Sequence, residues 1–376
     1  MIRFGIIGAA GRGNSFVRSL RANPATELTA LCDLRSEPLM ANAAELGVEH
    51  IFTDAGELIR SDVVDAVVVG TPMQFHAPQA ILALEHDIHV LSEVTAAVSI
   101  EESRDLVRAA RRSAATYMMA ENYTYIKQNV LVRELVRRGL FGETYYGEGA
   151  YIHELKQLNE KTPWRRRWQT GVNGCTYPTH SLGPVLQWFG ESRISVDGAQ
   201  GDRVVEVSAM GTGHHFRDPR GHEYEMEDSV TMMCRLASGG LVQIRVDMLS
   251  DRPHNMVHYA LQGTDGAYES TDGFQSTHKV WLRERNKTPT WESLAALEEE
   301  YLPDCWKNPP EEAKQAGHGG GDYWEVQDFV QAIHEEKEPA IGIDAAMDMT
   351  LPGLVSQQSL SEGSSWVAVP DPRNWT

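Results

Sequence analysis

No stretch of the 376-residue chain stays apolar for the roughly 18–20 residues that a membrane-spanning helix needs, so no span is expected. Basic residues are in deficit: 34 Lys and Arg stand against 53 Asp and Glu, a formal charge of −19. A nucleic-acid partner requires a basic face, and no Lys/Arg-dominated stretch is long enough to supply one. A small anionic ligand is still allowed, because a local arginine cluster can oppose the global field. Cysteine is scarce. Its four copies, Cys32, Cys175, Cys234 and Cys305, form no CxxC pair, which argues for reduced thiols rather than a disulfide frame or a zinc site. His214, His215 and His222 lack partners at ligand spacing, so no metal is assigned. The opening MIRFGIIGAAGRG enters a strand-like run without the basic region, long apolar core and cleavage site of a secretory leader. A cytoplasmic location is therefore expected.

What is present begins with a rhythm. Phe4–Gly8, Glu27–Cys32, Ala66–Val69, His89–Leu91 and Thr116–Met119 read as buried strands, and Ser36–Leu46, Gln79–Glu85 and residues 101–112 have helical spacing. Strands alternating with helices predict βαβ units and a parallel sheet. After about Asn122 the pattern changes. Gln128–Arg138 still reads as helix, but Val230–Leu236, Leu241–Asp247, Val257–Gly263 and Ala267–Glu269 are strand-length, often alternating, and joined by turn signals. The expected fold class is α/β, an N-terminal Rossmann dinucleotide-binding domain over 1–122 plus a C-terminal α+β domain over 123–376 with an open, mostly antiparallel sheet. Residues 283–321, rich in Glu, Pro and Lys and then Gly, read as a long surface excursion, and Tyr323–Glu335 as a helix.

The clearest local signal is Gly5-Ile6-Ile7-Gly8-Ala9-Ala10-Gly11-Arg12-Gly13 between the first strand and an amphipathic segment, Ser15–Leu20. Its G-x-x-G-x-G spacing serves a tight turn and lets backbone N–H groups approach a pyrophosphate at a helix start. Gly8, Ala10, Gly11, Arg12 and Gly13 are the candidate residues. Asp33 ends the second strand where a ribose-binding acid belongs, which favours NAD over NADP, while Arg35 beside it could hold a 2′-phosphate. Strand ends line the ligand crevice of such a sheet. That logic brings Thr71, Pro72 and His76 to the cofactor, Glu93 to cofactor and substrate, Asn122 to the cofactor, and Glu121 and Tyr123 to the substrate.

The Rossmann half, the open-sheet half and these polar loops together resemble the glucose–fructose oxidoreductase and inositol dehydrogenase superfamily over essentially the whole chain. Members carry Glu-Lys-Pro after the fourth or fifth strand, the lysine serving proton and hydride transfer. Here the segment is Glu93-Val94-Thr95-Ala96-Ala97, and the lysine is absent. That departure resembles the NAD-dependent glycoside hydrolases of family 109 type. So do Ala120-Glu121-Asn122-Tyr123, the run Gly174-Cys175-Thr176-Tyr177-Pro178-Thr179-His180-Ser181-Leu182-Gly183-Pro184, and Gly317-His318-Gly319-Gly320-Gly321-Asp322-Tyr323. Gly149-Ala150-Tyr151-Ile152-His153-Glu154 is similar to the branch's Tyr-x-His-Asp segment.

The resemblance implies glycoside cleavage by transient oxidation at sugar C3, deprotonation at C2, elimination of the aglycone, water addition and re-reduction, with NAD as cofactor. Paired carboxylates about the anomeric carbon are then unnecessary. Tyr177 and His180, three residues apart, share a face if one helical turn holds them, and Pro178 suits a turn or first-turn position. His180 is assigned to the C3 hydroxyl proton and Tyr177 to the C2 proton, roles that could be exchanged. Tyr151 and His153 share a strand face as further catalytic candidates. His318, in its glycine-rich loop, is a substrate candidate or a plain surface histidine. Trp164, Arg165 and Arg166 lie in the one concentrated basic patch, where indoles could stack on a sugar and an arginine pair with an anionic group; a solvated face or subunit contact is the alternative. An NAD-dependent dehydrogenase or 3-oxidase of sugars, cyclitols or glycosides is the competing function, and a ligand-sensing regulator a non-enzymatic one. The resemblance also implies a homo-oligomer, dimer or tetramer, through face-to-face packing of open sheets.

Overall fold

The computed structural model describes residues 1–192, 202–253, 255–270 and 277–376. The chain divides into two compact units. One comprises Met1–Tyr125, Pro310–Met347 and Pro372–Thr376; the other, Ile126–Pro309 and Asp348–Asp371. Residues 310–347 belong with the first unit, although their composition marks no such change of allegiance.

In chain order the first unit begins β1 (Ile2–Ile7), α1 (Val17–Ala22), β2 (Thr26–Cys32), α2 (Ser36–Leu46), β3 (His50–Phe52), α3 (Ala55–Ile59), β4 (Ala66–Val69), α4 (His76–Leu84), β5 (His89–Ser92), α5 (Ile100–Arg112) and β6 (Tyr117–Met119). The six strands form a parallel sheet in the order β3-β2-β1-β4-β5-β6. Ala66, Val67, Val68 and Val69 are all buried, as a strand covered on both faces requires. Two helix ends follow local rules: Asp54 caps α3 by accepting from Glu57 N, and Ser99 caps α5 by accepting from Glu102 N. The order reverses between β1 and β4, which opens a crevice at the carboxyl ends of those strands.

The second unit continues with α6 (Lys127–Arg137), β7 (Thr144–Ile152), α7 (Leu158–Lys161), α8 (Arg165–Trp168), α9 (Thr179–Ser192), β8 (Val204–Gly211), β9 (Ser229–Leu236), β10 (Leu241–Asp247), β11 (Met256–Gly263), β12 (Gly266–Glu269), β13 (Lys279–Leu282), β14 (Glu292–Ser293), α10 (Glu298–Tyr301) and α11 (Asp304–Lys307). Then come α12 (Glu311–Lys314) and α13 (Gly321–Glu335) of the first unit, α14 (Ile343–Ser361) and β15 (Val367–Ala368). Nine strands pair in the order β14-β13-β12-β11-β7-β10-β9-β8-β15. All neighbours run antiparallel except β7 and β10. Along β11 buried and half-buried residues alternate without a break, the pattern of a sheet packed on one face.

The supposed surface excursion after Arg283 is more structured than its composition implies. Leu294, Leu297, Leu302 and Ala313 are all buried, so the acidic residues around them form only the outer face of short helical turns.

Candidate functional site

In the second unit the site is built by close packing. Residues 147, 149 and 151 of β7 point to one face. The first two are glycines, and a β-carbon at Gly149 would lie 2.0 Å from the Ser181 carbonyl oxygen, while one at Gly147 would meet Val185 and Phe189. Glycine at these positions lets α9 rest directly on β7. Tyr151, the next residue on that face, then meets the start of α9. Its ring centroid is 5.5 Å from Tyr177 and 5.2 Å from His180, which are themselves 5.3 Å apart. The Tyr151 hydroxyl is 2.8 Å from His153 Nδ1. The four residues singled out as catalytic candidates in the sequence thus form one aromatic–imidazole cluster.

Pro178 sits immediately before α9, and its carbonyl accepts from Ser181 N and Leu182 N. A second proline, Pro184, lies inside the helix and has no N–H for the carbonyl four residues back, which is His180's. Tyr259, from β11, donates its hydroxyl to that oxygen. A backbone group that would otherwise be orphaned in the core becomes an anchor for His180. Sequence reasoning missed Tyr259. The signal was available in the Pro184 spacing, but the identity of the donor was not.

In the first unit the glycine loop is equally tight. Gly8 has φ of +89°, and a β-carbon there would lie 2.5 Å from the Gly70 carbonyl oxygen at the end of β4. Asp33 is 7 % exposed and accepts from Ala10 N at 2.9 Å, Arg35 N at 3.0 Å and the Arg35 guanidinium at 3.0 and 3.1 Å. Burial alone would raise its pKa; the hydrogen bonds from Arg35 and Ala10 outweigh that and hold it below the usual carboxylate range. The loop passes into a 3₁₀ turn, Arg12–Phe16, before α1 begins at Val17, so the helix starts two residues later than expected. The His76 ring is wholly buried, with Nδ1 2.8 Å from the Thr95 carbonyl and Nε2 2.8 Å from the Thr71 carbonyl. It ties together the loops after β4 and β5, and burial lowers its pKa. Thr71 itself bonds Gln79, next to Pro72.

Arg12 has a larger structural part than its place in the glycine loop suggested. Its guanidinium forks onto Asp322 at 2.9 and 3.0 Å, bridging 310 residues of sequence, and also donates to Glu93. Asp322, 1 % exposed at its side chain, accepts as well from Asn122 Nδ2 at 2.8 Å and from His318 Nδ1 at 2.9 Å. Burial would raise the Asp322 pKa, but His318 and Arg12 drive it far below the ordinary range. Glu121 accepts from Tyr123 N, and the Tyr123 ring is 5.7 Å from His318. One turn beyond Asp322 is Glu325, fully buried, with neither carboxylate oxygen hydrogen-bonded among the described residues. Burial, then the nearby Asp322 and Glu93 charges, push its pKa well above the usual carboxylate range. Asp322 and Glu325 had no role in the sequence reading. The four-residue interval between His318 and Asp322 is the one hint that was legible.

The tight cradle of Gly8 against Gly70, Asp33 at the end of β2, and the buried Asn122 Oδ1, which has no partner among the described residues, fit a dinucleotide. The backbone N–H groups of Arg12 and Gly13, at the start of the 3₁₀ turn, would face its pyrophosphate, Asp33 its adenosine ribose, and Asn122 a polar group at the other end.

The basic patch is more self-engaged than expected. Arg166 pairs with Glu160 and Asp218. Arg165 lies over the Trp164 ring at 4.4 Å and bonds Gln169 and Thr162.

Comparison with known proteins agrees with both halves. Residues 2–121 match the family model of an oxidoreductase family with an NAD-binding Rossmann fold, and residues 125–375 match that of the glycosyl hydrolase 109 C-terminal domain. The chain is 30% identical to an alpha-N-acetylgalactosaminidase from Shewanella oneidensis, covering 99% of this chain and 85% of that protein. It is also 30% identical to a glycosyl hydrolase family 109 protein from Saccharopolyspora erythraea, covering 98% and 83%. Among solved structures, an oxidoreductase domain protein from Kribbella flavida superposes with TM-score 0.81 at 23% identity, over 98% of this chain and 100% of that one. Levoglucosan dehydrogenase in complex with NADH superposes with TM-score 0.80 at 20% identity, over 98% and 99%. The NAD-binding Rossmann domain, the aromatic–imidazole cluster and the match over two thirds of its length agree: the chain belongs to the glycosyl hydrolase 109 family.

Proposed function

We propose that the protein is an NAD-dependent glycosidase that cleaves its substrate through a transient 3-keto sugar. The observation that carries this is the Tyr151–Tyr177–His180–His153 cluster, in a chain whose Glu93-Val94-Thr95 segment lacks the superfamily's lysine. When bound, NAD supplies a reversible hydride acceptor for the sugar carbon being oxidised. His180, held through its carbonyl by Tyr259, takes the proton of the C3 hydroxyl. A ketone at C3 acidifies the C2 proton, and a phenolate removes it. Spacing alone favoured Tyr177 for that step. The Tyr151 hydroxyl has an imidazole nitrogen at 2.8 Å, a ready acceptor for the phenol proton, so Tyr151 is assigned as the C2 base with Tyr177 bordering it. Elimination then expels the aglycone, water adds to C1, and the same groups return their protons.

The name of the Shewanella oneidensis relative makes α-N-acetylgalactosaminides the first substrates to try. The enzyme is incubated with aryl glycosides and no added cofactor. Repeated aglycone release without net NADH, together with C2–H exchange in deuterated water, is the expected result. Stoichiometric NADH without aglycone release would instead identify a glycoside dehydrogenase, the activity of the levoglucosan-oxidising fold neighbour.

A further inference from the structure

The open sheet of the second unit has a face that the aromatic–imidazole cluster leaves unused. Along β7, Glu148, Ala150 and Ile152 point opposite to Gly147, Gly149 and Tyr151. Ala150 pairs with Arg245 of β10 on one side and with His258 of β11 on the other. A methyl group between two long side chains leaves a hollow, and a polar groove of about 290 Å³ lies there. One end is set by Glu148 and its register partner Gln243, the other by Arg252 and Asn255 beside Ile152. Glu148 accepts from the Tyr146 hydroxyl at 2.8 Å. Arg245 is paired with Asp247 at 2.6 Å and donates to Ser229 at 2.8 Å. Arg252, by contrast, is exposed and makes no ion pair among the described residues. Asn255 Oδ1 is buried and has no hydrogen-bond partner among the described residues. Met256 follows it at φ of 61°, and Val257 N closes the turn onto the Asn255 carbonyl at 2.8 Å. Left-handed backbone at such a residue is rare, and binding sites are among the places where it gathers.

The two ends differ in chemistry. An unmatched guanidinium beside an open acceptor suits a carboxylate next to a hydroxyl. The carboxylate forks onto Arg252, and the hydroxyl donates to Asn255 Oδ1. At the far end, Glu148 and Gln243 offer acceptors to further hydroxyls, while the Glu148 charge repels a second carboxylate. From Glu148 to Ile152 the strand runs about 13 Å, the reach of a six-carbon chain with a hydrogen bond at each end. We propose that this groove binds an open-chain sugar acid, a polyhydroxylated monocarboxylate, on the face of β7 opposite Tyr151. The site uses none of the proton-transfer residues and stands independently of the glycosidase reading.

The test is calorimetric titration of the whole protein, at low salt, with sodium D-gluconate. Sorbitol carries the hydroxyls without the carboxylate, and sodium acetate the carboxylate without the hydroxyls. Saturable gluconate binding is expected, with each comparator weaker by about 10-fold or more. Arg252→Gln, at an exposed position, should weaken gluconate binding about 10–100-fold, the usual loss for a charged hydrogen bond. Asn255→Asp keeps the shape of the side chain but sets an anion against the ligand carboxylate, and should weaken binding as well. Tyr177→Phe should bind gluconate as the parent does, because the groove lies across the strand from that ring. Equal affinity in the parent and in Arg252→Gln, or loss of binding in Tyr177→Phe, would overturn the proposal. So would a parent protein that gives no saturable heat, whether or not a second copy covers this face.

Discussion

The two units hold their candidate residues in place by different forces. In the second unit, Tyr151 and His180 ride on a strand and a helix brought together by steric fit, through glycines on β7 that admit the backbone of α9, and Tyr177 lies just before that helix. In the first unit, His318 and Glu93 sit on loops, and an ion-pair fork between Arg12 and Asp322 holds the loops. The difference teaches how each half fails. Close packing fails when volume is added to it. A buried ion pair tolerates small changes of volume but leaves an uncompensated charge when one partner is lost.

The largest effect should come from the chemistry itself. Tyr151→Phe should lower aglycone release by about 10²–10⁴-fold, the usual weight of a general base, with NADH affinity unchanged by titration. An unaltered rate would return the C2 role to Tyr177. A purely steric lesion comes next. Gly149→Val places a β-carbon against the Ser181 carbonyl and should cost roughly 1–3 kcal/mol of stability by overpacking, read by denaturant melting, with turnover falling alongside. If turnover persists at full stability, α9 does not depend on that close approach.

The electrostatic half is tested by two milder changes. Asp33→Ala removes a carboxylate that Arg35 and Ala10 already bond. It should weaken NAD binding about 10–100-fold, as expected for losing charged hydrogen bonds, and should narrow the preference over NADP; calorimetry with both cofactors decides. Glu325→Gln addresses the neutral buried acid. A folded-state pKa raised by burial and by Asp322 means that the folded protein keeps a proton the unfolded chain releases above about pH 4.3. Stability contributed in this way is complete below that pH and declines as pH rises toward the folded pKa. The Tm of the Gln variant should therefore gain on the parent steadily from pH 5 to pH 8. Parallel curves would show that Glu325 is not held neutral.

Much of this was legible in the chain. The β4 run of consecutive valines and the alternation along β11 announced a parallel and an open sheet, because covering both faces or one face of a strand leaves a direct imprint on composition. The boundaries of α2 and β10 match the sequence reading residue for residue. The Tyr177–His180 pair was visible because only three residues separate the two; Tyr177 precedes α9 and His180 lies in its first turn. Short β3 was not, since three residues carry too little periodicity to register. Arg166 illustrates the opposite limit: the patch around it read as a docking point for anions, yet Glu160, six residues back, and Asp218, distant in sequence, take up its charge.

The amino-acid sequence by itself determined the NAD-binding Rossmann domain, its glycine-rich turn and the open second sheet, because each rests on local pattern or short spacing. Only the tertiary structure decided that residues 310–347 return to the first unit, that Arg12 clasps Asp322, and that Tyr259 caps the carbonyl that Pro184 leaves open. These are single contacts between residues tens to hundreds of positions apart. No periodicity encodes such contacts, and they exist only once the loops between them have closed.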